Sequence, residues 1–155
     1  MRPIVAGTFK GKLENAGVGF KSGSDGPDVW VAQYSGDGDL SWQRAYTSNR
    51  PNTRVDSATV DPFGNIAIAG SAAALQVEGL KSIGPLDSLY VLKLRADATP
   101  VWLRSFEGTP SATTLASDIQ SNLWLGSSFY GKVKLDTDVV DGMGNFQGLL
   151  LKLGP

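Results

Sequence analysis

The chain has 155 residues, a formal net charge of −1 and a pI near 5.3, and it contains neither cysteine nor histidine. A charge so close to zero gives no reason to expect binding to nucleic acid or to an anionic membrane surface. The lack of Cys and His excludes disulfides, thiolate catalysis, Ser-His-Asp hydrolysis and the commonest zinc sites within these residues. The length fits one domain with a real core.

Targeting segments are not expected in this chain. No apolar run approaches the roughly 20 residues that a transmembrane helix needs. Residues 1–7 hold a single basic side chain and no apolar stretch long enough for a signal peptide. We therefore expect neither a membrane span nor a signal peptide here.

Short apolar runs separated by turn residues predict strands along the whole chain. Glycine occurs 19 times and charged residues make up only 19%, which favours strands and turns over solvated helices. The predicted strands include 28–34, 40–46, 55–61, 66–71, 89–94 and 101–106, within a total of about ten. Long polar loops are expected at 8–27, 72–87 and 127–147, and helix content should be minimal.

Several markers repeat with a period near 60 residues. Gln33, Lys93 and Lys152 stand 60 and 59 residues apart in similar apolar strands, and Trp42 and Trp102 are again 60 apart. A turn with Asp followed four residues later by Asn occurs at 61–65 and again at 118–122. Each period holds four strands, which is the signature of a propeller blade.

The fold class that we predict is all-β, a partial β-propeller of about two and a half four-stranded antiparallel blades. It forms a single domain over 1–155, with repeat units near 1–54, 55–112 and 113–155. Since such a number of blades cannot close a ring, sheet edges would remain exposed. We therefore expect either further blades in a longer chain or a homo-oligomer that completes the ring.

The repeated pattern of turn, strand, loop and Trp-bearing strand resembles the SBBP-type β-propeller repeat of secreted bacterial proteins. The resemblance is carried by the turn and the strand ending in glycine, by a loop motif and by a strand with its Trp: Asp61, Gly64, Asn65 and Gly70; Gly7, Phe9 and Gly11; Asp28, Val31, Gln33, Tyr34, Gly38 and Trp42. It implies an extracellular or cell-surface location and no shared catalytic residues. The chain departs from the pattern at Ser121, in place of the turn Gly, and at Gln33, in place of Lys.

Two groups of side chains suggest ligand sites, and each also has a structural explanation. The four tryptophans could form an aromatic platform for sugar rings, but their repeat positions favour core packing: Trp30, Trp42, Trp102 and Trp124.

Acidic turns place carboxylates at the alternating spacing of calcium loops, at Asp37, Asp39, Asp136, Asp138 and Asp141. Ordinary turn hydrogen bonding is the alternative for these residues and for Asp61 and Asp118. A ring of such turn Asp residues around a propeller axis would be a further cation site.

The function that we predict is non-catalytic: an extracellular scaffold, or a module that binds a protein or a glycan. No cofactor is expected, apart from calcium at the acidic turns. The competing hypothesis is a carboxylate-dependent glycosidase or lyase, completed by blades outside this chain. Its acid and base would have to come from Glu14, Glu78 or Glu107 together with an Asp.

Overall fold

The computed structural model describes residues 2–23, 26–48, 50–84, 87–135 and 138–155, without the side chains of 109–112. Within these ranges the regular structure is entirely β, with no helix, as predicted. The strands are β1 Ile4–Phe9, β2 Lys12–Asn15, β3 Val18–Lys21, β4 Asp28–Tyr34, β5 Leu40–Tyr46, β6 Arg54–Val60, β7 Ile66–Ala72, β8 Ser88–Leu94, β9 Pro100–Ser117, β10 Leu123–Leu135 and β11 Asp138–Leu153. In the described part of the chain, no helix is long and apolar enough to cross a lipid bilayer.

The strands form two main sheets and a separate hairpin, and all the pairs are antiparallel. One sheet has the order β1-β4-β5, the other has the order β11-β10-β9-β8-β7-β6, and β2 pairs with β3 alone. Residues 100–107 of β9 pair with β8, whereas its later residues pair mainly with β10. The backbone N–H of Leu115 in β9 donates to Ser57 Oγ in β6 over 3.0 Å, so this sheet folds back and nearly closes on itself.

Because the six-stranded sheet folds back on itself, we divide the two main sheets into three layers. We call β1, β4 and β5 the N-terminal layer; β6, β7, β8 and residues 100–107 the central layer; and the rest of β9 with β10 and β11 the C-terminal layer. Ile66 and Ile68 point into a core shared with Val29 and Val31 of the N-terminal layer. Ala67 and its neighbours on the opposite face belong to a second core, shared with the C-terminal layer. Both faces of β7 and β8 are therefore buried.

Most predicted strands agree with the structure to within a residue, and the strand at 40–46 matches β5. The strand predicted at 101–106 was wrong at its end, because β9 runs on to Ser117. Gly108 permits this continuation, since a Cβ there would lie 3.0 Å from the carbonyl oxygen of Lys132 in β10. The loops expected at 8–27 and 127–147 were also partly wrong. The first contains the β2–β3 hairpin, and the second consists largely of the paired ends of β10 and β11.

Trp42 and Trp102 pack against the two interlayer cores, as their repeat positions predicted. The Nε1–H of Trp42 is shared between Gln33 Oε1 and the carbonyl oxygen of Ala96, each at 3.1 Å, so it ties the N-terminal layer to the β8–β9 turn. The Nε1–H of Trp102 is buried and has no acceptor among the described residues. The two equivalent indoles therefore differ in hydrogen bonding.

This difference predicts different effects of the same substitution. Trp42→Phe should lower the free energy of unfolding by about 1–2 kcal/mol, because two acceptors lose their donor. Trp102→Phe should change it by less than about 1 kcal/mol, because the lost contact area is offset by removal of an unsatisfied donor. Urea unfolding of the two variants checks this, and equal losses would contradict the assignment of the hydrogen bonds.

Candidate interaction surface

The two Asp-to-Asn turns satisfy their own backbone, as predicted. Asp61 Oδ1 accepts hydrogen bonds from the N–H groups of Phe63 at 2.9 Å and Asn65 at 2.8 Å. Its Oδ2 accepts from Asn65 Nδ2 at 2.9 Å. Asp118 repeats the pattern with Gln120 and Asn122 at 3.0 and 2.9 Å. These turns are tight strand connections, and their carboxylate oxygens are largely used inside the turn.

Ser121 adopts the backbone conformation of the glycine that it replaces in the repeat. Gly64 has φ of 84° and Ser121 has φ of 64°, both in the left-handed region. This region costs an L-residue free energy because Cβ crowds the following carbonyl oxygen. The departure from the repeat pattern is therefore tolerated as local strain, and the turn keeps its shape.

Asp61 differs from Asp118 in having a buried lysine beside it. The side chains of Asp61 and Lys93 are 1% and 5% exposed, and Lys93 Nζ lies 3.9 Å from Asp61 Oδ2. Burial alone would raise the pKa of Asp61, but hydrogen bonds from Asn65 and Phe63 outweigh it and lower the pKa below its ordinary value. Asp61 is therefore a charged structural group that compensates a buried cation.

Asp118 instead holds an aromatic side chain of the C-terminal layer. Trp124 Nε1 donates to Asp118 Oδ2 over 3.1 Å, and Lys152 Nζ lies 5.4 Å from the Trp124 ring centroid. The hydrogen bond from the Asn122 side chain is the main cause that lowers the pKa of Asp118. Trp124 is thus fixed in place although its ring is partly exposed.

Two clefts open between adjacent layers at repeat-equivalent positions. The larger, of about 650 Å³, includes Gln33 of one layer and Phe63, Gly64 and Ala96 of the next. The other, of about 360 Å³, includes Lys93, Gln120, Ser121 and Pro155. In the larger cleft a strand of one layer faces two turns of the next, and in the smaller one a strand faces one turn and the last residue, Pro155. The clefts differ in polarity, since only the smaller contains the ion pair of Lys93 with Asp61.

The calcium candidates do not converge where the structure describes them. No group of three or more acidic residues among the described ones is arranged to hold a metal ion. In the turn 35–39, Ser35 Oγ accepts from the backbone N–H groups of Asp37 and Asp39. Asp141 accepts from the Met143 N–H at 2.8 Å and pairs with Lys132 at 3.2 Å, and these two contacts lower its pKa. Asp138 begins β11, and Asp136 lies outside the described residues. Calcium binding stays a prediction.

The three glutamates considered for glycoside hydrolysis lie in separate elements. Glu14 is in β2 and pairs with Lys12 at 2.9 Å, whereas Glu107 is in β9 opposite Ser88. Glu78 lines a cleft of about 550 Å³ in which it is the only acidic side chain among the described residues. Carboxylate-based hydrolysis needs two carboxyl groups facing one bond. In the part of the chain that the structure describes, no second carboxylate lines that cleft.

The C-terminal layer exposes an apolar surface of which sequence reasoning had considered only Trp124. Trp124, Tyr130, Phe146 and Leu150 are exposed on β10 and β11. The rings of Tyr130 and Phe146 are 5.4 Å apart and tilted by 58°. We call Trp124, Leu150 and Lys152 the open face, and Tyr130 with Phe146 the ring pair. The exposure of Leu150 had a signal in the sequence, the run of three leucines at 149–151. Successive side chains of a strand point to opposite faces, so Leu150 must point away from the side on which Leu149 and Leu151 lie.

The comparisons with known proteins give no relative. No protein-family model matches the chain, and no curated protein matches it. The resemblance to SBBP-type repeats therefore stays a prediction, and so do the division into units and the location that it implies.

The buried pair predicts a dependence of stability on pH. Because the folded pKa of Asp61 lies below the unfolded value of about 3.9, its contribution is present above that value and is lost as pH falls through the folded pKa. Asp61→Asn should lower the free energy of unfolding at pH 7 by about 3 kcal/mol, because Lys93 stays buried without its partner. The variant should also lose less stability than the parent between about pH 5 and pH 2.

Asp118→Asn is the matched control, since its turn has similar hydrogen bonds but no buried lysine. Urea unfolding at pH 7 should show a smaller loss for this variant than for Asp61→Asn. Equal losses at the two turns would show that the contact with Lys93 is without effect.

The strained turn predicts a stabilising substitution. Ser121→Gly should raise the free energy of unfolding by roughly 0.5–1 kcal/mol, because relief of the left-handed strain exceeds the entropic cost of glycine. The reverse change in the other copy, Gly64→Ser, should lower it by about 1 kcal/mol. Thermal and urea unfolding measure both effects, and a destabilised Ser121→Gly variant would contradict the strain argument.

Proposed function

We propose that this chain is a non-catalytic β-propeller repeat module, a scaffold that binds a protein or a glycan through its exposed surface. Its blades would be the three layers, and its place would be outside the cell or on the cell surface. The location rests on the resemblance to secreted repeat proteins alone. For the enzyme alternative, hydrolysis needs two carboxyl groups, and Glu78 is the only acidic side chain among the described residues that line its cleft.

The observation that carries the proposal is the recurrence of one interlayer contact. Val31 and Val91 stand 60 residues apart, and each is buried against the next layer. Each also pairs across its sheet with an alanine, Ala6 for Val31 and Ala69 for Val91. Face-to-face packing of repeated antiparallel sheets is what a propeller requires. The four successive strands of the central layer are the content of one complete blade.

The ring pair supports the binding part of the proposal. Tyr130 and Phe146 face each other across the β10–β11 ladder and expose half or more of their surface. Aromatic rings supply large contact areas at low entropic cost, which suits both sugar rings and protein partners. The Trp124 indole on the same layer adds a third ring.

A glycan array and a protein array probed with the whole chain test the binding function. We expect at least one binder, with affinity reduced by about 1–2 kcal/mol or more in a Tyr130→Ala, Phe146→Ala double variant. Met143→Ala is the control, because Met143 is exposed on the same hairpin but lies outside the ring pair. Binding that is equally strong in the double variant would move the site elsewhere. The absence of any binder would leave only a structural spacer.

A further inference from the structure

The open face of the C-terminal layer is equivalent to two faces that are covered elsewhere in the molecule. Val31 pairs with Ala6, Val91 with Ala69 and Leu150 with Gly126, so each occupies the same place opposite a small residue. Val31 and Val91 are 0% exposed, whereas Leu150 is 70% exposed. Two of three equivalent positions are thus buried by the next layer, and the third faces solvent.

The residues around Leu150 follow the same equivalence. Lys152 corresponds to Lys93, which is buried, and Trp124 corresponds to Ala67, since Ala67 pairs with Lys93 as Trp124 pairs with Lys152. A tryptophan at a position where alanine is buried presents a large apolar area. An exposed apolar patch that continues an existing packing pattern marks an interaction site.

The side of the central layer that covers the N-terminal layer has a counterpart on the N-terminal layer itself, and this counterpart is partly open. The central layer covers the N-terminal one with Tyr90 and Leu92, among others. The same positions 60 residues earlier are Trp30 and Ala32 on the outer side of the N-terminal layer. There Ala32 is 0% exposed, whereas Trp30 is partly exposed and Val5, which pairs with Ala32, is 45% exposed. The part of this side that stays open to a partner is therefore the part around Val5 and Trp30.

The β2–β3 hairpin supports the same arrangement. Its counterpart in the C-terminal layer, at the ends of β10 and β11, packs toward the central layer and buries Val133. The β2–β3 hairpin lies over the outer side of the N-terminal layer, where Asn15 Nδ2 donates to the Tyr34 hydroxyl at 2.8 Å. Leu13 stands in this hairpin where Val133 stands in the other, 120 residues later. The hairpin itself covers part of this side, because Gln43 Nε2 donates to the carbonyl oxygens of Asn15 at 3.2 Å and Val18 at 3.4 Å. A partner on this side would contact both the hairpin and the open part around Val5.

From these equivalences we infer that the open face binds a second copy of this chain, head to tail, through the outer side of that copy's N-terminal layer. The interface repeats the contact between the central and C-terminal layers, with Leu150 and Trp124 entering the place of Val91 and Ala67. Such an interface joins two different surfaces, so it leads to rings or to extended assemblies. The inference rests on the repeat architecture proposed above and is independent of whether the ring pair binds a ligand.

Sedimentation velocity and light scattering of the whole chain test the inference. The mean mass should rise above the 16.4 kDa of one chain as concentration increases from about 1 µM to about 300 µM, the range of weak specific interfaces. Leu150→Asp should weaken association by about tenfold or more, since it places a charge in the apolar contact. Ile119→Asp is the control, because Ile119 is at least as exposed as Leu150 but lies in the β9–β10 turn.

Mixing two variants distinguishes head-to-tail binding from a symmetric dimer. Val5→Asp blocks the outer side of the N-terminal layer, and Leu150→Asp blocks the open face, so neither should associate well alone. A mixture should form a one-to-one dimer through the two intact surfaces. A symmetric interface through the open face would give no such dimer and would overturn the inference.

A parent chain that stays at 16.4 kDa over the whole concentration range would also overturn it. The open face would then be left for another occupant, such as a further repeat unit in a longer chain. A monomeric chain would not bear on the proposed binding of a protein or a glycan. Glycan and protein arrays without a binder would instead argue against that binding function and would not bear on self-association. Circular dichroism confirms that the variants are folded before either conclusion is drawn.

Discussion

Burial of β7 and β8 on both faces is the constraint on which the rest of the fold depends. An antiparallel sheet ordinarily buries one face and exposes the other. Here Ile66 and Ile68 face one core and Ala67 and Ala69 face the second. Neither neighbouring layer can be absent without exposing one of these faces to water, at a cost that grows by about 25 cal/mol for each Å² of apolar surface.

The two faces of the central layer are not equivalent in size. Isoleucines and Tyr90 fill the core toward the N-terminal layer, whereas the opposite face of β7 offers alanines. The second core is therefore filled from the other side by larger groups, among them Phe129 and Leu125. This exchange of large for small residues across a layer keeps each core closely packed.

The sequence was sufficient for those features that local chemistry decides. Strands followed from alternating apolar runs, and the turn at 61–65 followed from an Asp that bonds its own backbone. The all-β class and the packing of Trp42 followed from the same patterns together with the period. The function of the candidate surface did not follow, because its side chains are apolar and carry no chemistry that a motif identifies.

What the sequence could not predict depends on distant parts of the chain. The pairing of Lys93 with Asp61 brings together two residues 32 positions apart, and its burial depends on the layer that covers it. The continuation of β9 depends on the close approach of Lys132 to Gly108, which no local pattern indicates. Leu150 stands at the position of Val91 in the repeat pattern, yet it is 70% exposed whereas Val91 is buried, and no local pattern separates the two.

The course of β9 also decides which parts of the molecule can open independently. Because one strand contributes to both the central and the C-terminal layers, these layers cannot separate unless β9 breaks within its length. The N-terminal layer is a separate sheet and is held to its neighbour by side-chain packing and a few bonds such as that from Trp42 to Ala96. In native-state hydrogen exchange the molecule would thus consist of one large cooperative unit and one smaller unit that opens first.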